Sequence, residues 1–313
     1  MWFAQARRTI LSYSGLVIEI LRPGPFTTVQ DLGRPGRAAL GVGCSGAADR
    51  ASLRLANRLV GNVEGAAALE LTYGGLCARF GAAAVVALTG APCPVTVGGR
   101  MAGMDGPIAV RAGQELVVGM PTAGLRTYVA VRGGIGVPAV LGSRSTDTLS
   151  GIGPPVPQPG TRLPVGGQGA GFPNVDLAPR RALEAEPVLQ LRPGPREDWF
   201  EPGALAALCS SAYEVGAQSN RIGVRLGGRV LRRAAAGELA SEGVVRGALQ
   251  VPPDGLPIVF LADHPVTGGY PVIAVLDDAG VDRAGQLRPG DRVRFRPARV
   301  RARAQAAGPA AGA

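Results

Sequence analysis

The sequence predicts a mainly β protein of two similar halves with a few short helices. Three observations lead there. Short apolar runs recur about every 8 to 12 residues, the spacing of strands in closed or nearly closed barrels rather than in a parallel doubly wound sheet. The 48 glycines and 27 prolines are spread along the 313 residues, as tight turns between many short strands require. Pieces of the first half also recur in the second, in order and at a near-constant offset of about 170 to 174 residues. Leu21-Arg22-Pro23-Gly24-Pro25 returns as Leu191-Arg192-Pro193-Gly194-Pro195, Ser45 as Ser219, Glu70 as Glu242, and Ala112-Gly113-Gln114 as Ala284-Gly285-Gln286. Such a set points to an internal duplication.

Residues 1–15 lack an apolar signal core and are expected to form a loose extension. Residues 16–150 form the first half. Its strands are expected at 16–21, 26–29, 67–73, 83–89, 94–97, 108–110, 115–118 and 127–132, each bounded by Gly or Pro. Between the second and third lies the clearest helical pattern, CSGAADRASLRLANRLVGN. Asp49 starts it, Leu53, Ala56 and Val60 share a face, and Gly61-Asn62 stops it. Residues 151–187, rich in Pro and Gly, read as a linker. The second half spans 188–297, with strands at 188–191 and 257–262 and a helix over 202–211. An Ala/Arg-rich tail, 298–313, ends the sequence.

Composition removes several chemistries. The net charge is +10 and all 33 basic residues are arginine. Without lysine there is no Walker A lysine, no Schiff base, no Ser-Ser-Lys amidase nucleophile system and no attachment point for biotin on these residues. One histidine, His264, excludes a two-histidine metal motif, and no metal is expected. Cys44, Cys77, Cys93 and Cys209 show no CxxC spacing and read as small buried hydrophobes in a reducing, cytoplasmic setting. No apolar run reaches the ~20 residues of a membrane span. Six arginines between Arg292 and Arg303 read as a solvated strand end rather than a nucleic-acid surface, since only Phe295 accompanies them.

Four polar clusters remain. Gln30, Asp31 and Arg34 either bind a carboxylate or amide or brace a turn. Ser45, Asp49, Arg54 and Asn57 surround a helix start, where capping and anion binding coexist. Ser219, Asn220, Arg221 and Arg225 offer either two arginines forked on an anion or a scaffold paired to acids. The fourth cluster holds Glu242, Gln250, Asp263, His264, Thr267 and Tyr270 around Gly268-Gly269, at the end of a strand, where a rigid scaffold presents functional groups. No GxSxG elbow precedes a serine, and no GxGxxG opens a helix after a strand.

RPGPFTTVQDLGRPG, SGAADRASLRLANRLVGN, GSRST, SNRIGVRLGG, SEGVVRGALQVPPDGLPI and ADHPVTGGYP, in this order from Leu16 to Phe295, resemble the biotin-dependent carboxyltransferase subunit family. That family is also called allophanate hydrolase subunit 2 and includes the C component of 5-oxoprolinase and KipA. The resemblance implies two cyclophilin-like β-barrel halves. It implies ATP-dependent opening of 5-oxoproline to glutamate, with a KipI-like partner (the B component) and a third, A component, the ATP shared with those partners. The alternatives it leaves are a carboxyltransferase subunit of a urea carboxylase-like enzyme, using biotin carried on another chain, and a KipA-like regulator that binds a KipI-like inhibitor. It implies catalytic roles for Asp263, Gln250 and Tyr270. Substrate contacts are implied for Ser219, Arg221, Arg225, Thr267, Gly268 and Gly269, with Gln30, Asp31, Arg34, Ser45 and Asn57 from the first half. In this picture Asp263 orients water or holds the ring N–H, and Arg221 or Arg225 clamps a carboxylate or phosphoryl group. The sequence departs from the family pattern at Asn220, usually Asp, at His264-Pro265-Val266, usually Arg-Gln-Thr, and at Gly151–Arg162, where a GGxxGR region is altered.

Overall fold

A computed structural model describes residues 15–167, 171, 175–180, 182–234, 237 and 239–298. The expected loose extension lies outside these residues except for Gly15, as does the tail beyond Ala298.

The first half contains two antiparallel sheets. One runs, edge to edge, Arg162–Pro164, Val17–Arg22, Cys77–Phe80, Glu115–Val118, Val95–Val97 and Arg100–Ala102. The other runs Phe26–Gln30, Ala68–Thr72, Arg126–Val131, Ala84–Gly90 and Pro107–Val110. Their facing side chains form one core that includes Ile18, Ile20, Val29, Leu69, Leu71, Phe80, Val86, Leu88 and Val129. The second half is a closed barrel in the order Val188–Pro193, Val272–Leu276, Ala248–Gln250, Ile258–Phe260, Gly223–Gly227, Ala212–Val215 and Arg292–Pro297, which returns to the first strand by a parallel pairing. Its own core holds Leu189, Leu191, Tyr213, Val224, Leu249, Ile273, Val293 and Phe295. Closure leaves no exposed edge on this barrel.

The strands follow from alternation. In Arg292–Pro297, Val293 and Phe295 point inward while the arginines point out, and Arg294 pairs with Glu186. The expected strand runs are found with ends shifted by a residue or so. Cys77–Phe80 is not legible as a strand, because CARF is four residues long and lacks a clear apolar run. The stretch expected as a linker contributes Arg162–Pro164, which pairs with Val17–Glu19. Of the four cysteines only Cys77 is buried; Cys44, Cys93 and Cys209 are half-buried.

Three α-helices complete the described residues: α1 (Arg50–Leu59), α2 (Ala204–Ser210) and α3 (Asp278–Ala284). Asp49 caps α1 by accepting from the Ser52 amide at 3.0 Å. Leu53, Ala56 and Leu59 of α1 pack on Ala68, Ala87, Tyr128 and Ala130, the outer face of the second sheet. Helix α3 belongs to the second half but caps the first. Asp282 accepts from the Arg50 amide at 2.9 Å and the Ala51 amide at 3.2 Å, so the N-terminus of α1 is closed from across the junction. None of these helices is long and apolar enough to cross a membrane.

The repeated Leu-Arg-Pro-Gly-Pro has a physical basis in both halves. A Cβ on Gly24 would lie 2.1 Å from the Gly74 carbonyl oxygen, and one on Gly194 would lie 2.3 Å from that of Val272. Each glycine lets the chain cross the backbone of a neighbouring segment. The repeated Ala-Gly-Gln does not share one setting: Gly113 lies in a turn before a strand, whereas Gly285 follows α3. Gly194→Ala is expected to destabilise the chain by about 1–3 kcal/mol through overpacking alone. Urea or thermal denaturation measures it, and an unchanged midpoint would mean that the crossing is not tight in solution.

Candidate functional site

The junction between the halves is polar because of strand register. Phe26, Thr72 and Arg126 are cross-strand partners, as are Thr28, Glu70, Tyr128 and Thr89. Partners in register project to the same face. That face looks away from the first core, toward α1 and the second half. It therefore carries a carboxylate, a phenol and a guanidinium, all buried.

Arg221 from the second half reaches into this row. Its Nη1 donates to Glu70 Oε1 and its Nη2 to the Gly46 carbonyl at 2.6 Å. Its Nε donates to Asp263 Oδ2 at 2.9 Å and its Nη2 also to Asp263 Oδ1 at 3.0 Å, a bidentate pair. Asp263 further accepts from Ser45 Oγ at 2.7 Å, the Thr148 amide at 3.0 Å and Thr148 Oγ1 at 2.7 Å. Glu70 accepts from the Ala48 amide at 2.9 Å and Tyr128 Oη at 2.7 Å, with Arg126 Nε 3.5 Å away. Arg221, Glu70, Asp263 and Arg126 are each at most 2% exposed. Burial, the largest single influence, would raise the Glu70 and Asp263 pKa values, but the Arg221 charge together with Arg126 at Glu70 and the hydrogen bonds each carboxylate accepts outweigh it, and both are held below the ordinary carboxylate range. Burial works against the Arg221 charge too, and the two carboxylates overcome it, raising its pKa. Burial, with Glu70 beside it, pushes the Tyr128 phenol well up.

The structure thus unites Ser45, Arg221 and Asp263, which are far apart in sequence. Asp263 accepts five hydrogen bonds from the protein's own donors. Arg221 donates to Asp263, Glu70 and the Gly46 carbonyl. Ser45 does not cap α1; it sits in the left-handed region, φ 54°, with its hydroxyl turned to Asp263. Arg221 and Arg225 do not form a fork. Arg221 precedes the strand Gly223–Gly227, in which Val224 and Leu226 face inward and Arg225 faces solvent.

The first-half residues brace the loops beside this junction. Asp31 accepts from the Gly33 amide, Ser143 Oγ, Ser145 Oγ and the Arg144 amide, tying the Gly142–Thr146 loop down. Gln30 donates to Thr28 Oγ1 and the Thr146 carbonyl. Arg34 is buried, donates to the Ser145 carbonyl and lies 4.0 Å from Asp147. Asn57 holds the turn after α1 through the Glu64 and Ala66 carbonyls. Ser219 donates to the Gly216 carbonyl and accepts from the Arg225 amide, a turn contact.

The remaining expected residues form a separate group. Gln250 donates to the Tyr270 carbonyl at 2.9 Å, Tyr270 stacks with Arg233, and Thr267–Gly268 pairs with Glu242–Gly243. The Glu242 carboxylate is taken by Arg196. Gly268 lets Gln250 pack against it, since a Cβ there would lie 2.6 Å from Gln250 Nε2; Gly269 is exposed beside it. Among the described residues no hydrogen bond joins Gln250 or Tyr270 to Asp263. His264 is buried, its ring bonds the Pro265 carbonyl alone among the described residues, and it stacks on Phe260; burial lowers its pKa. Asn220 uses its Oδ1 to accept from the Ile222 and Gly223 amides, a turn that Asp would serve equally.

Sequence reasoning missed Glu70, Arg126, Tyr128, Thr148, Asp282 and Gln286 as members of the junction. Gln286 bridges it by accepting from the Leu125 and Arg126 amides and donating to Asp49. A carboxylate between two leucines in Ala68–Thr72 was the available signal: a charged residue inside an apolar strand implies a buried partner.

On one side of Arg221 the halves part to leave a cleft of about 360 Å³. Its inner wall includes Arg126, Arg221, Leu261 and Leu287, and its rim includes Asn220 and Pro289. Tyr73, with φ 61°, lines it in a conformation unusual for a bulky residue.

A family model described as carboxyltransferase domain, subdomain A and B, matches residues 40–297. The chain belongs to this family. It is 39% identical over 290 residues to the C component of 5-oxoprolinase from Escherichia coli strain K12, covering 89% of this chain and 90% of that protein. Among solved structures, the protein TTHA0988 superimposes with a TM-score of 0.81 at 35% identity, over 90% of this chain and 56% of that one. The K. lactis urea amidolyase gives 0.83 at 30% identity, over 94% of this chain and 20% of that one. The chain thus spans little more than half of the first solved chain and a fifth of the second. In this carboxyltransferase domain, the junction between the halves is the ionic row centred on Arg221.

Arg221→Met is expected to destabilise the domain by about 3–5 kcal/mol, because it leaves Glu70 and Asp263 buried without their cation. Both carboxyls have folded pKa values below their unfolded ones, so their contribution is present above about pH 4.5 and is lost as pH falls through the folded values. The gap between wild type and variant should therefore narrow on acidification from about pH 5 to pH 3. Denaturant midpoints across that range check it; a gap that stays constant means the pair contributes no pH-linked stability.

Proposed function

We propose that this chain acts as the C component of an ATP-dependent 5-oxoprolinase, opening the lactam to L-glutamate together with a KipI-like B component and an A component. The observation that carries the reading is the near end-to-end match to the corresponding component of 5-oxoprolinase. Relatives that are larger polypeptides, such as urea amidolyase, contain this unit as a fraction of their length.

A lactam resists water because its amide is resonance-stabilised, so opening it requires activation and positioning. The junction does not suit a nucleoside triphosphate. Its buried guanidinium groups are engaged by Glu70 and Asp263, and the cleft beside them is largely apolar. In this reading ATP is therefore handled with the partner chains. This chain holds the substrate and excludes water from it. The Arg221–Asp263–Ser45–Thr148 set keeps the two halves at a fixed spacing, and Gln250 with the Thr267–Tyr270 loop forms a second surface that meets a partner or substrate.

Co-purification of the chain with its A and B partners, followed by assay of glutamate release from 5-oxoproline, tests this. Release is expected only with ATP and with all three chains present. Absence of release in every combination, with the complex assembled, would rule the reading out. The likeness to urea amidolyase supports a second reading, carboxyl transfer from biotin carried on another chain. It predicts biotin-dependent carboxylation of urea by the same assembled proteins and no glutamate.

A further inference from the structure

The junction buries two arginines, and their surroundings differ. Arg221 donates from Nε, Nη1 and Nη2, to Asp263, Glu70 and the Gly46 carbonyl. Arg126 is equally buried, yet among the described residues its guanidinium makes a single hydrogen bond, from Nη1 to the Gly285 carbonyl. Its Nε lies 3.5 Å from Glu70 Oε1 without bonding it and has no other partner among those residues. The two Glu70 oxygens are already held by Arg221, the Ala48 amide and Tyr128 Oη. Burial, the largest influence, lowers the Arg126 pKa, and Glu70 offsets it only in part. A buried guanidinium left this short of acceptors is costly unless something from outside the chain completes its hydrogen bonds.

Arg126 lies in the wall of the cleft of about 360 Å³ between the halves. With Nη1 bonded and Nε enclosed, Nη2 is the donor left to the cleft. Leu125, Val224, Leu261 and Leu287 give it a buried apolar wall, and the volume is that of a site for a small ligand. This wall is fixed before anything enters. Tyr73 is held at φ 61°, its amide donating to the Leu125 carbonyl at 2.9 Å. Charge limits what can enter. Arg126 and Arg221 stand against Glu70 and Asp263, a group with no net charge, so an added carboxylate would bring an unbalanced charge into a desolvated place. The acceptor that suits Nη2 is therefore a neutral one.

We propose that this cleft binds a small uncharged carbonyl compound, its oxygen accepting from Arg126 Nη2 and its apolar, ring-sized body lying against Leu125, Val224, Leu261 and Leu287. A carbonyl oxygen supplies the missing acceptor without disturbing the charge balance, and the body gains by leaving water. The site is independent of the lactam-opening reading, whose substrate carries a carboxylate. It selects the neutral acceptor over the acid.

Ligand-detected NMR on the full chain tests this with three probes of similar size: cyclohexanone, methylcyclohexane, which lacks the acceptor, and cyclohexanecarboxylate, which adds a charge. Cyclohexanone is expected to bind, and the other two about tenfold more weakly or less, the effect of one hydrogen bond to a charged donor. Ala217→Trp closes the exposed mouth of the cleft without entering either core; it is expected to abolish cyclohexanone binding with an unchanged thermal midpoint. Arg126→Lys keeps a cation beside Glu70 but removes the Nη2 donor, and is expected to lower cyclohexanone affinity about tenfold. Where that variant does not fold, the probe comparison and Ala217→Trp decide. Equal binding of cyclohexanone and methylcyclohexane overturns the proposal, and so does tighter binding of the carboxylate. No binding of cyclohexanone, or binding that Ala217→Trp leaves unmoved, overturns it as well.

Discussion

The structure depends on one guanidinium shared between two halves. Arg221 is contributed by the barrel half and is almost wholly buried, with Glu70 from the sheet half on one side and Asp263 from its own half on the other. Neither carboxylate could remain ionised there alone, and the arginine could not be buried without them. Three charges that are each costly to desolvate become compatible only when the halves are in a single relative position. The backbone adapts to that requirement. Ser45 adopts a left-handed conformation to turn its hydroxyl to Asp263, and the Gly46 carbonyl and Ala48 amide complete the shells of Arg221 and Glu70.

Two separate hydrophobic cores explain why such a device is needed. Each half buries its own apolar side chains, and the surfaces that meet are the outer face of a sheet and the polar end of a barrel. Apolar contact at such a junction is non-directional and would permit several packings. Hydrogen bonds with defined geometry do not. Helix α3 reinforces them, with Asp282 closing the N-terminus of α1 and Gln286 bridging to Asp49 and to the Arg126 backbone. A cleft bounded by surfaces held this firmly is a natural place for a ligand, since its walls are set before anything binds.

Much of the fold was legible. Alternating apolar residues between glycines and prolines located most strands of the first half, and the pattern around Leu53 and Ala56 located α1 with its Asp49 cap. The repeated Leu-Arg-Pro-Gly-Pro places a glycine against neighbouring backbone in both halves, a turn at Gly74 for Gly24 and a strand at Val272 for Gly194. The site was legible in part. Asp263, Arg221 and Ser45 stood out as polar groups near strand ends and glycines, and they do meet. Their hydrogen-bond partners were not legible, because a sequence does not state whether a charged group is already satisfied. Gln250 and the Thr267–Tyr270 loop were grouped with Asp263 by proximity in the chain, but the barrel carries them to a different contact set.

By itself the sequence determined the class of the protein: β-rich, free of lysine, with one histidine and a characteristic order of motifs. These are properties of composition and local pattern, and local patterning is what secondary structure responds to. Only the tertiary structure decided which charges face one another. Glu70 and Arg221 are 151 positions apart, and Ser45 and Asp263 are 218. Strand register within each half, and the docking of one half on the other, bring them to within a hydrogen bond. Electrostatic environments depend on distance and burial, so the five hydrogen bonds that Asp263 accepts come from three-dimensional neighbours that no stretch of chain contains.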